Sequence, residues 1–149
     1  METYRVCFAD TDAAGIVYHA RYFEMAERSR NAALRSVGLP SSELVRRARR
    51  GDGAGLVVHR GTATFASPAF PDDLLVLRTE ILKHNAARNW WRTTLTRDDV
   101  LICTIDVELV CIDAMTGQPR LIPDDLKEAI GKIATQETSA CAPLELAEP

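Results

Sequence analysis

The sequence predicts an α+β domain in which a five-stranded antiparallel sheet packs against one long helix. Three observations carry this reading. Residues 19–37 hold an apolar stripe at helical spacing, Tyr22, Ala26, Ala33 and Val37 with Phe23, Met25 and Leu34 beside it, while Arg21, Glu24, Arg28 and Arg35 can stay in water. Residues 100–113 alternate strictly, with Leu101, Cys103, Ile105, Val107, Leu109 and Cys111 on an apolar face and Thr104, Asp106 and Glu108 on a half-polar one. Three more alternating stretches, 56–66, 74–83 and 88–97, lie between them, separated by turn-forming residues.

Taken in order, residues 4–8 read as a short strand with Tyr4, Val6 and Phe8 on one face. A loop containing Asp10 and Asp12 leads into the long helix, which Gly38 ends as a C′ residue and Pro40 keeps from resuming. Residues 41–50 form a second, short helix, opened by a capping box at Ser41 or Ser42 and closed by Gly51, Asp52 and Gly53. The following strands connect as a meander. Its turns are SPAFPDD at 67–73, residues 84–87, and Arg97-Asp98-Asp99. Gly117 and Pro119 end the last strand, and Pro123 with Asp124 and Asp125 starts a short helix to about Ile133. Residues 1–134 are one domain; residues 135–149 lack periodicity and are expected to be a mobile tail. One helix of about five turns cannot cover such a sheet, so an obligate dimer is expected.

A chain of 149 residues, 46% hydrophobic and 26% charged, is enough for one globular domain that buries roughly two-thirds of its unfolded surface. Its apolar runs are too short to span a bilayer, and METYRVCF has no basic region followed by an apolar core. A cytoplasmic protein without stable membrane insertion is therefore expected. The net charge of −3 argues against a surface devoted to nucleic acid. Arg46, Arg47, Arg49 and Arg50 form a local basic cluster, read as one solvated helix face. Cys7, Cys103, Cys111 and Cys141 show no CxxC spacing, and His19, His59 and His84 are scattered, so no metal site and reduced thiols are expected.

The stretch FADTDAAGIVYHARYFEMAERSR, residues 8–30, carries the chemistry. Two carboxylates precede three small residues, and a helix opens immediately after them. A helix N-terminus offers unpaired N–H groups and partial positive charge, suited to an oxygen that becomes negative during reaction. Either aspartate could instead be a helix cap, although Asp12 lies far upstream for the usual capping bond.

Residues 10–30, DTDAAGIVYHARYFEMAERSR, resemble the signature of hotdog-fold acyl-CoA thioesterases of the 4-hydroxybenzoyl-CoA thioesterase type, and among them the Tol-Pal-associated thioesterases. The likeness continues in SPAFPDDLLVLRTEI (67–81) and VELVCIDAMTGQPRLIP (107–123) and covers most of the chain to about Ile133. It implies a hotdog fold, a long helix wrapped by an antiparallel sheet, in a homodimer or tetramer with active sites between subunits. It also implies hydrolysis of an acyl-CoA to free acid and CoA, with coenzyme A as part of the substrate and no cofactor. By position, Asp12 matches the catalytic aspartate, as nucleophile or general base, and the His19 backbone N–H matches the group that polarises the thioester carbonyl. Asp10 matches no catalytic position.

Other residues have secondary roles in this reading. Ile16, Val17 and Tyr22 are placed to line an acyl pocket, and Lys83 and Arg88 flank a turn from which they could reach CoA phosphates. Glu27 is a second carboxylate on the same helix, read as solvated or structurally paired. Two alternatives stand beside hydrolysis. A hotdog hydratase or dehydratase would need His59 or His84 to be recruited, and a non-catalytic acyl-CoA-binding or membrane-complex accessory module would bind without turnover.

Overall fold

The structure is a computed structural model that describes residues 1–51 and 53–138. Five strands, β1 (Glu2–Arg5), β2 (Ala54–Phe65), β3 (Leu74–His84), β4 (Arg88–Arg97) and β5 (Val100–Asp113), form one antiparallel sheet in the order β1-β3-β4-β5-β2. Three helices accompany it: α1 (His19–Ser36), α2 (Ser41–Arg49) and α3 (Asp124–Thr138). The α+β class and the strands at 88–97 and 100–113 are as the sequence indicates.

The meander is confined to β3, β4 and β5. β2 pairs with β5 and β1 with β3, so the segment after β2 crosses from one side of the sheet to the other. Its two prolines lack N–H groups, and part of its remaining backbone bonds to the loops before α1. The Val17 N–H donates to the Ala69 carbonyl at 2.9 Å, and Val6 and Asp73 bond likewise at 2.9 Å. This crossing brings residues 67–69 to the helix N-terminus.

Local departures from the expected pattern have specific causes. β1 stops at Arg5 because the Asp10 carboxylate accepts the Cys7 N–H and closes a 3₁₀ turn over Phe8–Asp10, which leaves Phe8 85% exposed. In β5, Cys103 pairs with Leu95 and Leu101 with Thr96, so Ile102 is an extra residue. Ile102 and Cys103 both point inward, and Leu101 is displaced to 40% exposure. No serine side chain caps α2; Pro40 occupies the cap position, and Ser41 is the first helical residue. Within the basic cluster, Arg46 and Arg47 pair with Glu43, and Arg47 also reaches Asp125 of α3.

α3 runs past the expected end at Ile133 to Thr138, so residues 135–138 are helical and the rest of the expected tail lies outside the described residues. Leu126, Ala129, Ile130 and Ile133 are buried, where α3 packs on β3 and α1. α3 thus adds cover beside the long helix α1. On the inner face of the sheet Trp91, Leu95, Ile105 and Leu109 meet Tyr22, Met25 and Ala26 of α1. A short hydroxyl chain fixes the helix to the strands: Thr79 donates to Ser29 at 2.7 Å and lies 2.8 Å from Thr93.

The turn between β4 and β5 places Asp98 and Asp99 at φ 49° and 63°, a two-residue left-handed pair that matches strand twist but costs an L-residue roughly 1 kcal/mol. Replacing Asp98-Asp99 with Asn-Gly is expected to raise the thermal midpoint by a few degrees, about 1 kcal/mol, in a melting curve. A lower midpoint would contradict this account of the turn.

Candidate active site

The site starts from a carboxylate that water does not reach. Asp10 is fully buried, and its oxygens accept from the Tyr4 hydroxyl at 2.9 Å, the Cys7 N–H at 2.8 Å, and Arg21 Nε and Nη2 at 3.0 and 2.8 Å. Burial alone would push this carboxyl up, but the Cys7 backbone, Arg21 and Tyr4 hold it below the ordinary aspartate value. The backbone of Asp10 acts as well: its carbonyl accepts the N–H of Tyr18, the cap residue of α1, at 2.9 Å. One residue therefore grips the helix at its cap through the main chain and at its first turn through Arg21.

Between these two grips the chain makes a small loop. Thr11 bridges Val17, the Asp12 N–H donates to Ile16 at 3.1 Å, and the Gly15 N–H donates to the Asp12 carbonyl at 3.0 Å. Gly15 takes φ 73°, which favours glycine. The Asp12 side chain is exposed; one oxygen accepts the Ala14 N–H at 2.8 Å, and the other has no partner among the described residues. Its capping function is therefore for its own loop, leaving a free carboxylate oxygen.

α1 begins at His19 with no side-chain cap. As the first helical residue, His19 carries an N–H with no intrahelical acceptor, at the positive end of the helix dipole. Its imidazole lies against the Tyr18 ring, with centroids 4.3 Å apart. Asp12, Ile16, Val17, His19 and Tyr22 form one wall of a cleft of about 490 Å³, and Phe65, Ala66, Ser67 and Pro68 form the other. Tyr22 is only 3% exposed, and its ring lies 5.8 Å from Phe65; burial pushes its phenol up to about 12, so it stays neutral.

The structure thus gathers Asp12, His19, Ile16, Val17 and Tyr22 at one cleft. It does not bring Lys83 or Arg88 there. Both lie on the outer face of the sheet, where Lys83 sits 4.3 Å from the centroid of Trp90 and Arg88 pairs with Glu108. Trp90 faces away from buried Trp91, so these cations are separated from the cleft by the sheet itself. His59 and His84 also line no part of the cleft, and Glu27 is exposed on α1. Sequence reasoning missed the second wall, because Ser67 and Pro68 read as a turn and as part of the family likeness but not as site residues; the crossing that delivers them comes from long-range strand pairing.

A curled antiparallel sheet holding a long helix, with a carboxylate and a helix N-terminus at one cleft, defines a hotdog-fold enzyme. Residues 6–130 match the model of the thioesterase-like superfamily, and the chain belongs to that family. The acyl-CoA thioesterase YbgC of Haemophilus influenzae is 30% identical over 125 residues, covering 84% of this chain and 89% of that protein. The acyl-CoA thioester hydrolase YbgC of Escherichia coli O6:H1 is 30% identical over 123 residues, covering 82% and 88%. The solved structure of a probable thioesterase from Bartonella henselae superposes with a TM-score of 0.75 at 34% identity, covering 82% of this chain and 97% of that one.

Asp10→Asn leaves Arg21 with only its exposed Glu24 partner and turns an amide N–H₂ toward other donors, so a loss of about 1–3 kcal/mol is expected in denaturant unfolding at neutral pH. The folded-state value of Asp10 is depressed, so its contribution is present above the ordinary carboxylate range and vanishes as pH falls through the folded value. The stability gap between wild type and variant should therefore narrow on acidification below about pH 4. A gap that stays constant down to pH 2 would show that the Asp10 charge plays no part.

Proposed function

We propose that the protein hydrolyses acyl-CoA thioesters to the free acid and CoA, with Asp12 as nucleophile or general base and the His19 N–H as the oxyanion donor. The observation that carries this reading is the meeting of a free Asp12 oxygen and an uncapped helix N-terminus in one cleft. The relatives named above share the activity.

In this mechanism the thioester carbonyl points at the start of α1. Attack on the carbonyl carbon, by Asp12 or by water that Asp12 deprotonates, moves charge onto the carbonyl oxygen. The His19 N–H and the helix dipole stabilise that charge, and collapse of the tetrahedral species expels the CoA thiolate. If Asp12 attacks, water then opens the resulting mixed anhydride. Ile16, Val17, Tyr22 and Phe65 supply apolar walls for the acyl group. The recruitment of a histidine, which a hydratase would require, has no support in a cleft that neither His59 nor His84 lines.

The reading includes an oligomer with active sites at the subunit interface. β2 is the last strand of the sheet; it exposes Val57, Val58 and Phe65 at 41%, 56% and 52%, and Phe65 lines the cleft. An unpaired edge of this kind suits pairing with a second copy. Light scattering should give the mass of two or four chains, and a monomer mass would contradict it.

The two catalytic roles separate by substitution. Asp12→Asn should remove CoA release, followed with a thiol reagent, while leaving the fold and oligomer unchanged. His19→Pro deletes the N–H together with the imidazole, at a helix position where proline is tolerated and after a Tyr18 already extended at φ −62°, ψ 131°, while His19→Ala deletes the imidazole alone. It should lower kcat by about 10²–10³, whereas His19→Ala should retain most activity. Equal activity in His19→Pro and His19→Ala would remove the backbone donor from the mechanism.

A further inference from the structure

The second wall of the cleft is held by a side chain that does not line it. Ala66 and Ser67 donate their N–H groups to the Ile102 carbonyl at 2.9 and 3.2 Å, and beyond them the Ala69 carbonyl takes the Val17 N–H. Pro68 lies between these anchors with no N–H of its own, so its carbonyl is the one backbone group by which it can be tied. Arg97 Nη1, at the end of β4, donates to that carbonyl in a long bond of 3.3 Å and pairs closely with the Asp73 carboxylate. The same carboxylate accepts the Phe70 N–H at 2.8 Å. Burial would push the Asp73 carboxyl up, but the Phe70 N–H and Arg97 hold it below its ordinary value. One guanidinium therefore closes the crossing between its start at Pro68 and its end at Asp73.

The crossing is strained enough for such a clamp to matter. Asp72 takes φ 70°, in the left-handed region that an L-residue enters at a cost, and Arg5 Nη1 holds its carbonyl at 2.7 Å. A segment in that state keeps its shape while its surroundings impose it. Arg97 and Asp73 both bear electrostatically on the Tyr22 phenol, yet neither lines the cleft. We propose that Arg97 is a positioning residue for the reaction, which clamps the crossing and so sets how closely Phe65 and Pro68 face Ile16, Val17 and Tyr22 across the acyl pocket. This rests on the acyl-CoA reading of the cleft given above. The effect falls on one wall: Asp12 and His19 are held by Asp10 and by their own loop, with no bond to Arg97. Apolar contact with an acyl chain is alike in the ground state and the transition state, so loosening the wall weakens binding and leaves the chemical step.

Hydrolysis of hexanoyl-CoA, and calorimetric binding of free CoA and of S-hexyl-CoA, a thioether that cannot be hydrolysed, test this in wild type, Arg97→Met and Arg97→Lys. Arg97→Met is expected to raise KM and weaken S-hexyl-CoA about tenfold, with kcat and the affinity for free CoA held within about twofold. Arg97→Lys keeps the charge beside Asp73 without a planar fork to span both acceptors, and should fall between wild type and Arg97→Met. A role in folding alone gives a different pattern, since a smaller folded fraction lowers kcat and leaves KM as it was. Unchanged KM and unchanged S-hexyl-CoA affinity in both variants, a loss confined to kcat, or an equal loss for free CoA overturns the proposal. If Arg97→Met does not fold, Arg97→Lys decides by the same readings. The hydrolysis reading fails separately: wild type that binds S-hexyl-CoA through Arg97 but releases no CoA from hexanoyl-CoA keeps the positioning role and loses the reaction, and wild type that neither binds nor hydrolyses loses both.

Discussion

The Asp10–Arg21 pair lies entirely within the frame that separates and orients the two parts of the cleft. Asp10 has no exposed surface, and all the donors around it come from different places: the first strand, the turn after it and the first turn of α1. Its carbonyl takes the Tyr18 N–H in addition. A loop with both ends held this way has little freedom. Asp12 and His19, at the two ends of that loop, are set at a fixed spacing by Asp10's contacts and by the loop's own backbone bonds. For the oxyanion role proposed for the His19 N–H, a donor matters through its placement before the charge appears, and the bonds around Asp10 give the loop a fixed frame.

The sheet contributes the second wall by its topology. Because β2 lies beside β5 while β3 begins on the far side, the chain must cross over at residues 67–73, and that crossing is pinned to Val17 and Val6 by backbone bonds. Tyr22 then packs against Phe65 and gives the cleft an apolar side. Further along the same groove, Phe23 fills the space over Gly61, where an added Cβ would lie 3.1 Å from the Phe23 ring.

What the sequence discloses here is what depends on neighbours in the chain. The start of α1 at His19 and the bounds of β4 and β5 follow from periodicity, and the loop carrying Asp12 follows from its carboxylates and small residues. The chemistry of two adjacent aspartates does not separate them; family resemblance singles out Asp12, and the structure supplies the reason Asp10 is different, its complete burial beside Arg21. Pairing across the sheet has no local signal, which is why the crossing of residues 67–73 and the bulge at Ile102 are unreadable. α3 extends beyond Ile133 through Ala134, Thr135 and three further residues that carry no apolar rhythm. Lys83 and Arg88 look suited to phosphates as letters, but strand alternation turns both to the outer face.

The claim on which these features converge is that the frame presents the His19 N–H to a thioester carbonyl. Vibrational difference spectroscopy of ¹³C-carbonyl acyl-CoA bound to Asp12→Asn tests it with the substrate held unhydrolysed. A polarised carbonyl should absorb at lower frequency than the same thioester free in water, and adding His19→Pro should return it to the free value at undiminished occupancy. A bound carbonyl with the solution frequency in Asp12→Asn, or a shift that survives His19→Pro, would contradict the account.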